Sequence, residues 1–191
     1  ASDKIGFLEH HLCHVAAAYY TAPVGEQTKP VLGLTCDGAG DNLSATVSKC
    51  DGNSITRLAD TGRHASLGKI YSRVTMMMGM KPWEHEYKIM GLAPYGDDQL
   101  NDRAADGLRE LLKVNEEGMC FEQAGELSMN YCYFRLREIF EEVRFDVVAG
   151  AIQKFTEEML TNWVSACIRK TGLSDIVCGG GVFMNVKANM L

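Results

Sequence analysis

Two histidines near the start of the chain, His10 and His14, have the spacing of a metal-binding pair. They lie four residues apart in EHHLCHVAAAYY, at the head of an apolar run with helical periodicity. Side chains four apart share one helix face, so both imidazoles can reach a single ion. Imidazole binds zinc, iron or nickel, and two histidines with one carboxylate form a common ligand set for mid-row metals. The spacing leaves alternatives open, because His11 can also pair with His14, and because His10 can cap the helix while His14 is buried in the core.

An acidic, glycine-rich segment follows about twenty residues later. A buried strand is predicted over Val31–Cys36, and it runs into a turn, Asp37-Gly38-Ala39-Gly40-Asp41. Asp37 can complete the ligand set of the two histidines. Gly38 and Gly40 lack a Cβ, so backbone N–H groups there can approach an anion closely. A plain β-turn rich in Asp and Gly explains the same residues equally well.

A run of three glycines near the end of the chain has the composition of a nucleotide-binding turn. Gly179, Gly180 and Gly181 follow a predicted buried strand, Asp175–Cys178. Backbone without side chains lets a nucleotide come close, and Asn185 can then bond its sugar or base. The run is neither G-x-G-x-x-G nor a P-loop, and a tight turn accounts for it about as often.

Lys88 is a candidate for substrate binding. It precedes MGLAPYG, whose Gly and Pro residues predict a turn. A lysine beside such a turn can pair with a phosphate or carboxylate as a point charge. The alternative is a solvated surface lysine.

Composition narrows the classes of protein to consider. The chain has 191 residues, enough for one domain with a sizeable core, and a net charge of −6, which argues against broad nucleic-acid binding. It contains no run of the roughly 18–20 apolar residues that cross a bilayer. We expect no signal peptide, no membrane contact and, from seven cysteines without a C-x-x-C pair, a reducing cytoplasm.

The helices and strands predicted around these residues indicate a mixed α/β fold. A three-strand antiparallel meander followed by helices and a returning strand fits the ribonuclease-H-like halves of actin-type ATPases. Residues 115–135 predict an irregular connection or a short hairpin. The predicted helices are His11–Tyr20, Ser66–Gly79, Asp97–Val114 and Phe145–Arg169, and the predicted strands are Lys4–Leu8, Val31–Cys36, Leu43–Ser48, Ser54–Asp60 and Asp175–Cys178.

Five motifs in a fixed order resemble one known family. They are EHHLCHVAAAYYTAP, LTCDGAGD, GKIYSRVT, YKIMGLAPYG and CGGGVFMN. Together they look like the O-carbamoyltransferases of nodulation-factor and antibiotic biosynthesis. The resemblance covers most of the chain; residues 97–145 carry no recognisable signature, and we expect them to form a variable helical connection.

The resemblance implies a fold, a site and a reaction. The fold is that of actin, Hsp70 and sugar kinases, and the family is related to the tRNA threonylcarbamoyl-transfer proteins. Their H-x-x-x-H metal motif matches His10 and His14 rather than His11, and their strand-end aspartate matches Asp37. Iron is the metal implied, and the glycine run with Asn185 matches an adenine-nucleotide loop. The implied chemistry joins carbamoyl phosphate and ATP into carbamoyl-adenylate, then transfers the carbamoyl group to a hydroxyl of a small molecule.

We expect residues 1–191 to be an internal fragment of the carbamoyltransferase main domain. The family's N-terminal phosphate strand, a later acidic segment with a further metal ligand, and the smaller C-terminal domain are expected outside it, so the fragment alone should be inactive. Two alternatives stay open: a non-enzymatic ATP-binding regulatory module of the same fold, and a relative that carbamoylates in tRNA modification or hydrogenase maturation. No residue identifies the acceptor or the general base.

Overall fold

The computed structural model describes residues 5–23 and 29–191. The fold is mixed α/β, as predicted. Its regular elements run in the order α1 (His10–Thr21), β1 (Val31–Gly40), β2 (Leu43–Asp51), β3 (Ser54–Gly62), α2 (Leu67–Met77), α3 (Glu86–Leu92), α4 (Asp98–Arg109), β4 (Leu112–Asn115), β5 (Cys120–Gln123), α5 (Tyr133–Ile139), α6 (Phe145–Thr171) and β6 (Ile176–Gly179).

A mixed sheet of order β3-β2-β1-β6 forms the centre of the fold. The meander prediction is confirmed, because β1, β2 and β3 pair antiparallel. The returning strand β6 pairs parallel with β1, so that Leu34 lies between Val47 and Cys178. This pairing brings the glycine run that follows β6 beside the end of β1.

The alternation of side chains along β1 determines which face Asp37 occupies. Leu32 and Leu34 belong to the main core with α2 and α6, whereas Val31 packs with Val15 and Tyr19 of α1 on the opposite face. Successive side chains of a strand point to opposite faces, so the odd-numbered residues of β1 face α1. Asp37 therefore points towards the helix that carries the histidines.

The long helix α6 closes the main core. Its stripe of buried residues includes Ile152, Phe155 and Trp163, and the Trp163 indole donates a hydrogen bond to the Met119 carbonyl at 2.8 Å. Gly172 ends the helix with a φ of 70°, because a glycine accepts this left-handed conformation without a steric penalty.

One predicted strand is wrong. Residues 5–9 have no regular structure, and the side chain of Phe7 is 94% exposed; Lys4 lies outside the described residues. The apolar run Ile5–Leu8 has the composition of a strand, but a strand also needs a neighbour to pair with. The strands β3 and β6 form the two edges of the described sheet. Each pairs with one neighbouring strand, and neither pairs with residues 5–9.

Three other predicted segments differ from the structure. The predicted turn Asp37–Asp41 is mostly strand, since β1 continues to Gly40 and the reversal comes at Asp41 and Asn42, which have φ angles of 48° and 66°. The predicted helix Asp97–Val114 ends at Arg109 because Leu112 starts a β4–β5 hairpin. Lys88 lies in helix α3, which continues to Leu92, so the turn predicted for MGLAPYG is confined to the 3₁₀ turn Ala93–Tyr95.

Candidate metal centre and adjoining pocket

The first turn of α1 is held against the sheet by polar contacts. The Glu9 carboxylate caps the helix by accepting two backbone N–H groups, and Arg57 of β3 donates to it at 2.6 Å. The His10 backbone N–H donates to Asp41 Oδ2 at 2.8 Å. These contacts fix the start of the helix to the end of β1 and the middle of β3, which sets the direction of the His10 side chain.

His10, His14 and Asp37 meet at the end of β1. Both imidazole Nε2 atoms lie close to Asp37 Oδ2, at 3.0 Å for His10 and 3.1 Å for His14, and the two Nε2 atoms are 3.1 Å apart. Within residues 5–23 and 29–191, these three form the group of potential ligands that is close enough together to hold an ion. The side chains are half-buried, so the group is open to solvent on one side.

The separations within this triangle are compatible both with hydrogen bonds between the three side chains and with the spacing of ligand atoms around one metal ion. Two histidines and one carboxylate are a ligand set found at non-haem iron sites.

Asp37 is held as a carboxylate. Burial raises its pKa, but hydrogen bonds from His10, from the Gly38 backbone N–H and from His14 outweigh burial and leave the pKa below its usual value. The Gly38 N–H donates to Oδ1 at 2.7 Å, which leaves Oδ2 to face the histidines. An ionised oxygen aimed at two imidazoles is a suitable set of donors for a cation.

Gly40 makes room for the His10 ring. A Cβ at this position would lie 2.1 Å from His10 Cδ2. The glycine is therefore required for the ring to reach Asp37, a role that its spacing in the sequence did not indicate. Gly40 is absent from the described lining of the pocket below, and a nucleotide contact at this residue stays a prediction.

His11 points away from the cluster and into the protein. Its side chain is fully buried, and its Nδ1 lies 2.8 Å from Thr35 Oγ1, which in turn lies 2.6 Å from Thr46 Oγ1. Burial lowers the pKa of His11 below its ordinary value, which favours the neutral ring. His11 therefore anchors α1 to β1 and β2. Sequence analysis missed this role, although Thr35 lies two residues before Asp37 and so shares its face of the strand.

A cavity of about 360 Å³ begins at Asp37 and Gly38. One side is formed by α2, with Leu67, Gly68, Tyr71 and Ser72. The other sides come from two segments, and Asp37 is the potential ligand that lines the cavity. The segment before and within α3 contributes Trp83, Glu84, Glu86, Tyr87 and Met90, and the end of the chain with α6 contributes Thr156, Gly181, Val182, Met184 and Asn185.

The glycine run has divided roles. Gly181 lines the cavity, whereas Gly179 and Gly180 pack against the backbone: a Cβ would lie 2.8 Å from the His14 carbonyl oxygen and 2.4 Å from the Cys36 carbonyl oxygen, respectively. Gly180 also has a φ of 95°, which L side chains rarely adopt. These two glycines let β6, β1 and α1 approach one another. Nucleotide contacts at all three stay a prediction.

Asn185 lines the cavity, but its amide is already paired. Its Nδ2 donates to Gln153 Oε1 at 2.9 Å, and its Oδ1 accepts from Gln153 Nε2 at 3.0 Å and from the Ala188 backbone N–H at 3.1 Å. Tyr71 donates to the same Gln153 oxygen at 3.2 Å. The network holds the segment after β6 against α6. A nucleotide bond at Asn185 stays a prediction, and it would have to replace one of these contacts.

Lys88 lies apart from the cluster. It is exposed, its Nζ is 5.8 Å from the centre of the Tyr87 ring, and it does not contribute to the described lining of the cavity. Substrate binding at this lysine stays a prediction. Across the ranges that the structure describes, no helix combines the length and the apolar character needed to cross a membrane.

Comparison with known proteins identifies the family. A mixed α/β domain with a His-His-Asp cluster beside a cavity is compatible with several enzyme classes, and the family comparison distinguishes among them. The chain matches the family described as carbamoyltransferase N-terminus over residues 2–191, and it therefore belongs to that family. The predicted resemblance to the carbamoyltransferases is confirmed.

Three relatives show the extent of the similarity. Nodulation protein NolNO of Sinorhizobium fredii is 27% identical over 98% of this chain and 27% of its own length. Nodulation protein NolO of Bradyrhizobium diazoefficiens is 28% identical over 95% of this chain and 32% of its own length. An uncharacterized protein of Methanocaldococcus jannaschii is 30% identical over 98% of this chain and 36% of its own length. The chain thus spans about a third of the length of the curated relatives it matches.

Proposed function

We propose that the protein transfers a carbamoyl group to a hydroxyl of a small molecule, using carbamoyl phosphate and ATP by way of carbamoyl-adenylate. Family membership and the two nodulation relatives support carbamoyl transfer in general. One observation carries the finer proposal: three potential metal ligands converge on one point, and one of them, Asp37, lines a cavity of about 360 Å³. The bound metal in this proposal is iron.

His10, His14 and Asp37 are the residues that would hold the metal. When bound, such an ion aligns phosphate oxygens and acts as a Lewis acid. Asp37 would contribute the negative charge of its carboxylate, whose Oδ2 faces the two imidazoles. The two imidazoles contribute neutral donors on one helix face. His11 anchors helix α1 through its bond to Thr35, and Gly40 leaves space for the His10 ring. Both residues therefore support the position of the imidazoles.

The cavity would orient the acceptor. In the transfer step, the acceptor oxygen forms a bond to the carbamoyl carbon, the bond from that carbon to the phosphate oxygen breaks, and AMP leaves while the hydroxyl proton passes to a base. Holding the hydroxyl near the carbonyl replaces a bimolecular encounter by a step within one complex. The cavity walls from α2, α3 and the segment after β6 supply this confinement.

The fold family, the place of residues 1–191 in a longer domain and the cellular location are also part of the proposal. A β3-β2-β1-β6 sheet with one parallel pair is compatible with a ribonuclease-H-like half of the actin, Hsp70 and sugar-kinase fold. The greater length of the relatives supports treating residues 1–191 as part of a longer carbamoyltransferase domain. The free cysteines of the described part support a cytoplasmic location.

The test uses the full-length gene product. Carbamoyl-phosphate-dependent exchange of pyrophosphate into ATP would support adenylate formation, and transfer of labelled carbamoyl to an acceptor would support the second step. We expect the His10→Ala, His14→Ala double variant to lose transfer by more than about a hundredfold. The matched control, His64→Ala, removes an exposed histidine that bonds Ser128, and it should retain transfer. ATP binding without exchange or transfer would instead indicate a regulatory module.

A further inference from the structure

Gln153 of α6 lies behind the wall of the cavity, and the hydrogen-bonding positions of its side-chain amide are all used. The residue is 3% exposed and does not belong to the described lining. Its Nε2 donates to Glu157 Oε1 at 2.7 Å and to Asn185 Oδ1 at 3.0 Å. Its Oε1 accepts from the Tyr71 hydroxyl at 3.2 Å and from Asn185 Nδ2 at 2.9 Å. An amide has two N–H groups and two acceptor positions, and these four bonds occupy them.

Two groups of fixed polarity determine which way the amides of Gln153 and Asn185 point. An ionised carboxylate only accepts, so the Glu157 side chain requires the Gln153 nitrogen rather than its oxygen. A backbone N–H only donates, and the Ala188 N–H donates to Asn185 Oδ1 at 3.1 Å. Turning either amide over would place two acceptors or two donors against each other. The Tyr71 hydroxyl therefore donates to Gln153, because the oxygen that it meets can only accept.

The network sets the polarity that two lining residues present to the cavity. Tyr71 of α2 and Asn185 after β6 both line it, and both donate to the same Gln153 oxygen. The Tyr71 proton is used in this bond, so its oxygen can only accept from a ligand. The Asn185 oxygen already accepts from Gln153 and Ala188, so a ligand can bond this amide only at its nitrogen. The pair therefore matches a ligand edge that donates at Tyr71 and accepts at Asn185.

An adenine ring has an edge of this kind. Its N6 amino group donates, and the ring nitrogens on either side of that group, N1 and N7, accept. Hypoxanthine has nearly the same shape, but it carries an oxygen acceptor in place of the amino group and a hydrogen on N1. The two bases therefore differ mainly in the polarity of the edge that Tyr71 and Asn185 would meet.

We propose that Gln153 is a positioning residue that makes the cavity select the adenine edge of the nucleotide. The N6 amino group would donate to the Tyr71 oxygen, and a neighbouring ring nitrogen would accept from the Asn185 amide. Gln153 itself contacts neither the base nor the reacting groups. It acts by holding the Tyr71 proton and the Asn185 amide in one orientation. The inference rests on the proposed function, because it takes the ATP of that reaction to lie in this cavity.

AMP and IMP are the matched probes, because they differ only at position 6 and N1 of the base. Their binding to the full-length protein is measured by titration calorimetry. IMP in the position of AMP would place an oxygen acceptor against the Tyr71 oxygen and leave both without a donor. We therefore expect AMP to bind at least about tenfold more tightly than IMP.

Two single variants test whether Gln153 sets this preference. Gln153→Met keeps the length of the side chain and releases the Tyr71 proton, which can then turn to the cavity and donate to the oxygen of IMP. Tyr71→Phe removes the acceptor itself. Each should reduce the preference for AMP to less than about threefold. The matched control, Gln99→Met, changes an exposed glutamine of α4 outside the described lining, and it should leave both affinities unchanged.

An exchange of two side chains separates the polarity at position 153 from the amide as such. The Gln153→Glu, Glu157→Gln double variant keeps the net charge and allows a bond between the two positions in the opposite direction. It also keeps an acceptor at position 153 for Tyr71 and for the Asn185 nitrogen. This variant should retain a preference for AMP of at least about fivefold. Loss of the preference in the folded double variant would contradict the role of the Gln153 oxygen.

Three further results would overturn the inference. They are equal binding of AMP and IMP by the wild type, binding of neither, and a preference that persists in Tyr71→Phe or in folded Gln153→Met. If both nucleotides weaken by the same factor in Gln153→Met, the residue is purely structural. Denaturant unfolding checks the fold, and carbamoyl transfer is assayed separately on the same preparations. A Gln153-dependent preference without transfer would contradict the proposed reaction alone, whereas transfer without the preference would contradict the role of Gln153 alone.

Discussion

Two clusters of charged side chains in this protein differ in how their members are satisfied. At Arg109, the guanidinium bonds Asp102 at 2.8 Å and both carboxylate oxygens of Glu158 at 2.6 and 3.0 Å, and Lys154 adds a cation 3.3 Å from Asp102. These hydrogen bonds raise the pKa of Arg109, led by the bond to Glu158. Every acid in this cluster faces a cation of the protein itself.

The His10, His14 and Asp37 cluster lacks such a balance. Two imidazole nitrogens and one carboxylate oxygen lie at 3.0–3.1 Å from one another, so three potential donors of electron pairs point at one place. Two N–H groups that both face Asp37 would also face each other across 3.1 Å. In the metal-binding proposal, a bound cation would remove this conflict. The comparison contrasts a cluster whose acids pair with cations of the protein and one in which two imidazoles share a single carboxylate oxygen.

The largest expected effect comes from removing the charge at the centre of the second cluster. Asp37→Asn should weaken binding of a divalent metal by more than about a hundredfold, because a neutral amide replaces an anionic ligand. Competition with a chelator measures this affinity. Asp60→Asn, on exposed β3, is the matched control and should bind metal like the wild type. An unchanged affinity in Asp37→Asn would remove Asp37 from the ligand set.

Gly40→Ala should produce a smaller but clear loss. The new methyl group would overlap the His10 ring, so the ring must turn away from Asp37. We expect a loss of metal affinity between about tenfold and a hundredfold, in the range seen when the support of a ligand is disturbed. Gly38→Ala is the control, since a Cβ there meets no neighbour within 4 Å. Equal affinities in the two variants would contradict the steric role of Gly40.

His11→Ala tests whether the buried histidine acts only on stability. Loss of its bond to Thr35 should lower metal affinity by about tenfold and destabilise the fold by about 1–3 kcal/mol, since Thr35 is left without this partner. His11→Asn, which can still bond Thr35, should recover part of both losses. Denaturant unfolding and chelator competition measure them on the same protein. A stability loss with unchanged metal affinity would make His11 purely structural.

The smallest effect on stability is expected in the cluster around Arg109, whose acids all pair with cations. Arg109→Met keeps the length of the side chain and removes its bonds to α6, and it should lower Tm by no more than about 4 °C because partly exposed ion pairs contribute little. Metal affinity should not change. A loss of metal binding in this variant, measured as above, would mean that the two clusters are coupled through the fold.

Local patterns in the sequence predict the elements better than the contacts between them. The helical spacing of His10 and His14 and the buried strand that leads into Asp37 are local signals, and the structure brings the three side chains together. Metal binding itself stays a prediction. The segment Ile5–Leu8 shows the limit, because its apolar pattern predicts a strand but contains no information on a pairing partner.

The supporting contacts of the site have no local signature. Arg57 bonds Glu9 across 48 positions, Gln153 bonds Asn185 across 32, and His11 bonds Thr35 across 24. Each depends on how the sheet register and the helices come together. Trp83 and Glu86, which line the cavity, were missed for a similar reason, since the positive φ of Trp83 and its bond to Glu86 become visible only in three dimensions.

The most direct test of the account is the metal stoichiometry of the full-length protein, determined by elemental analysis after anaerobic loading with ferrous iron. The account predicts about one tightly held ion per chain that depends on His10 and His14, in six-coordinate geometry by X-ray absorption. The double alanine variant should be folded and hold less than about a tenth of that amount. Iron retained in full by this variant, or wild-type protein that takes up none, would contradict the central claim.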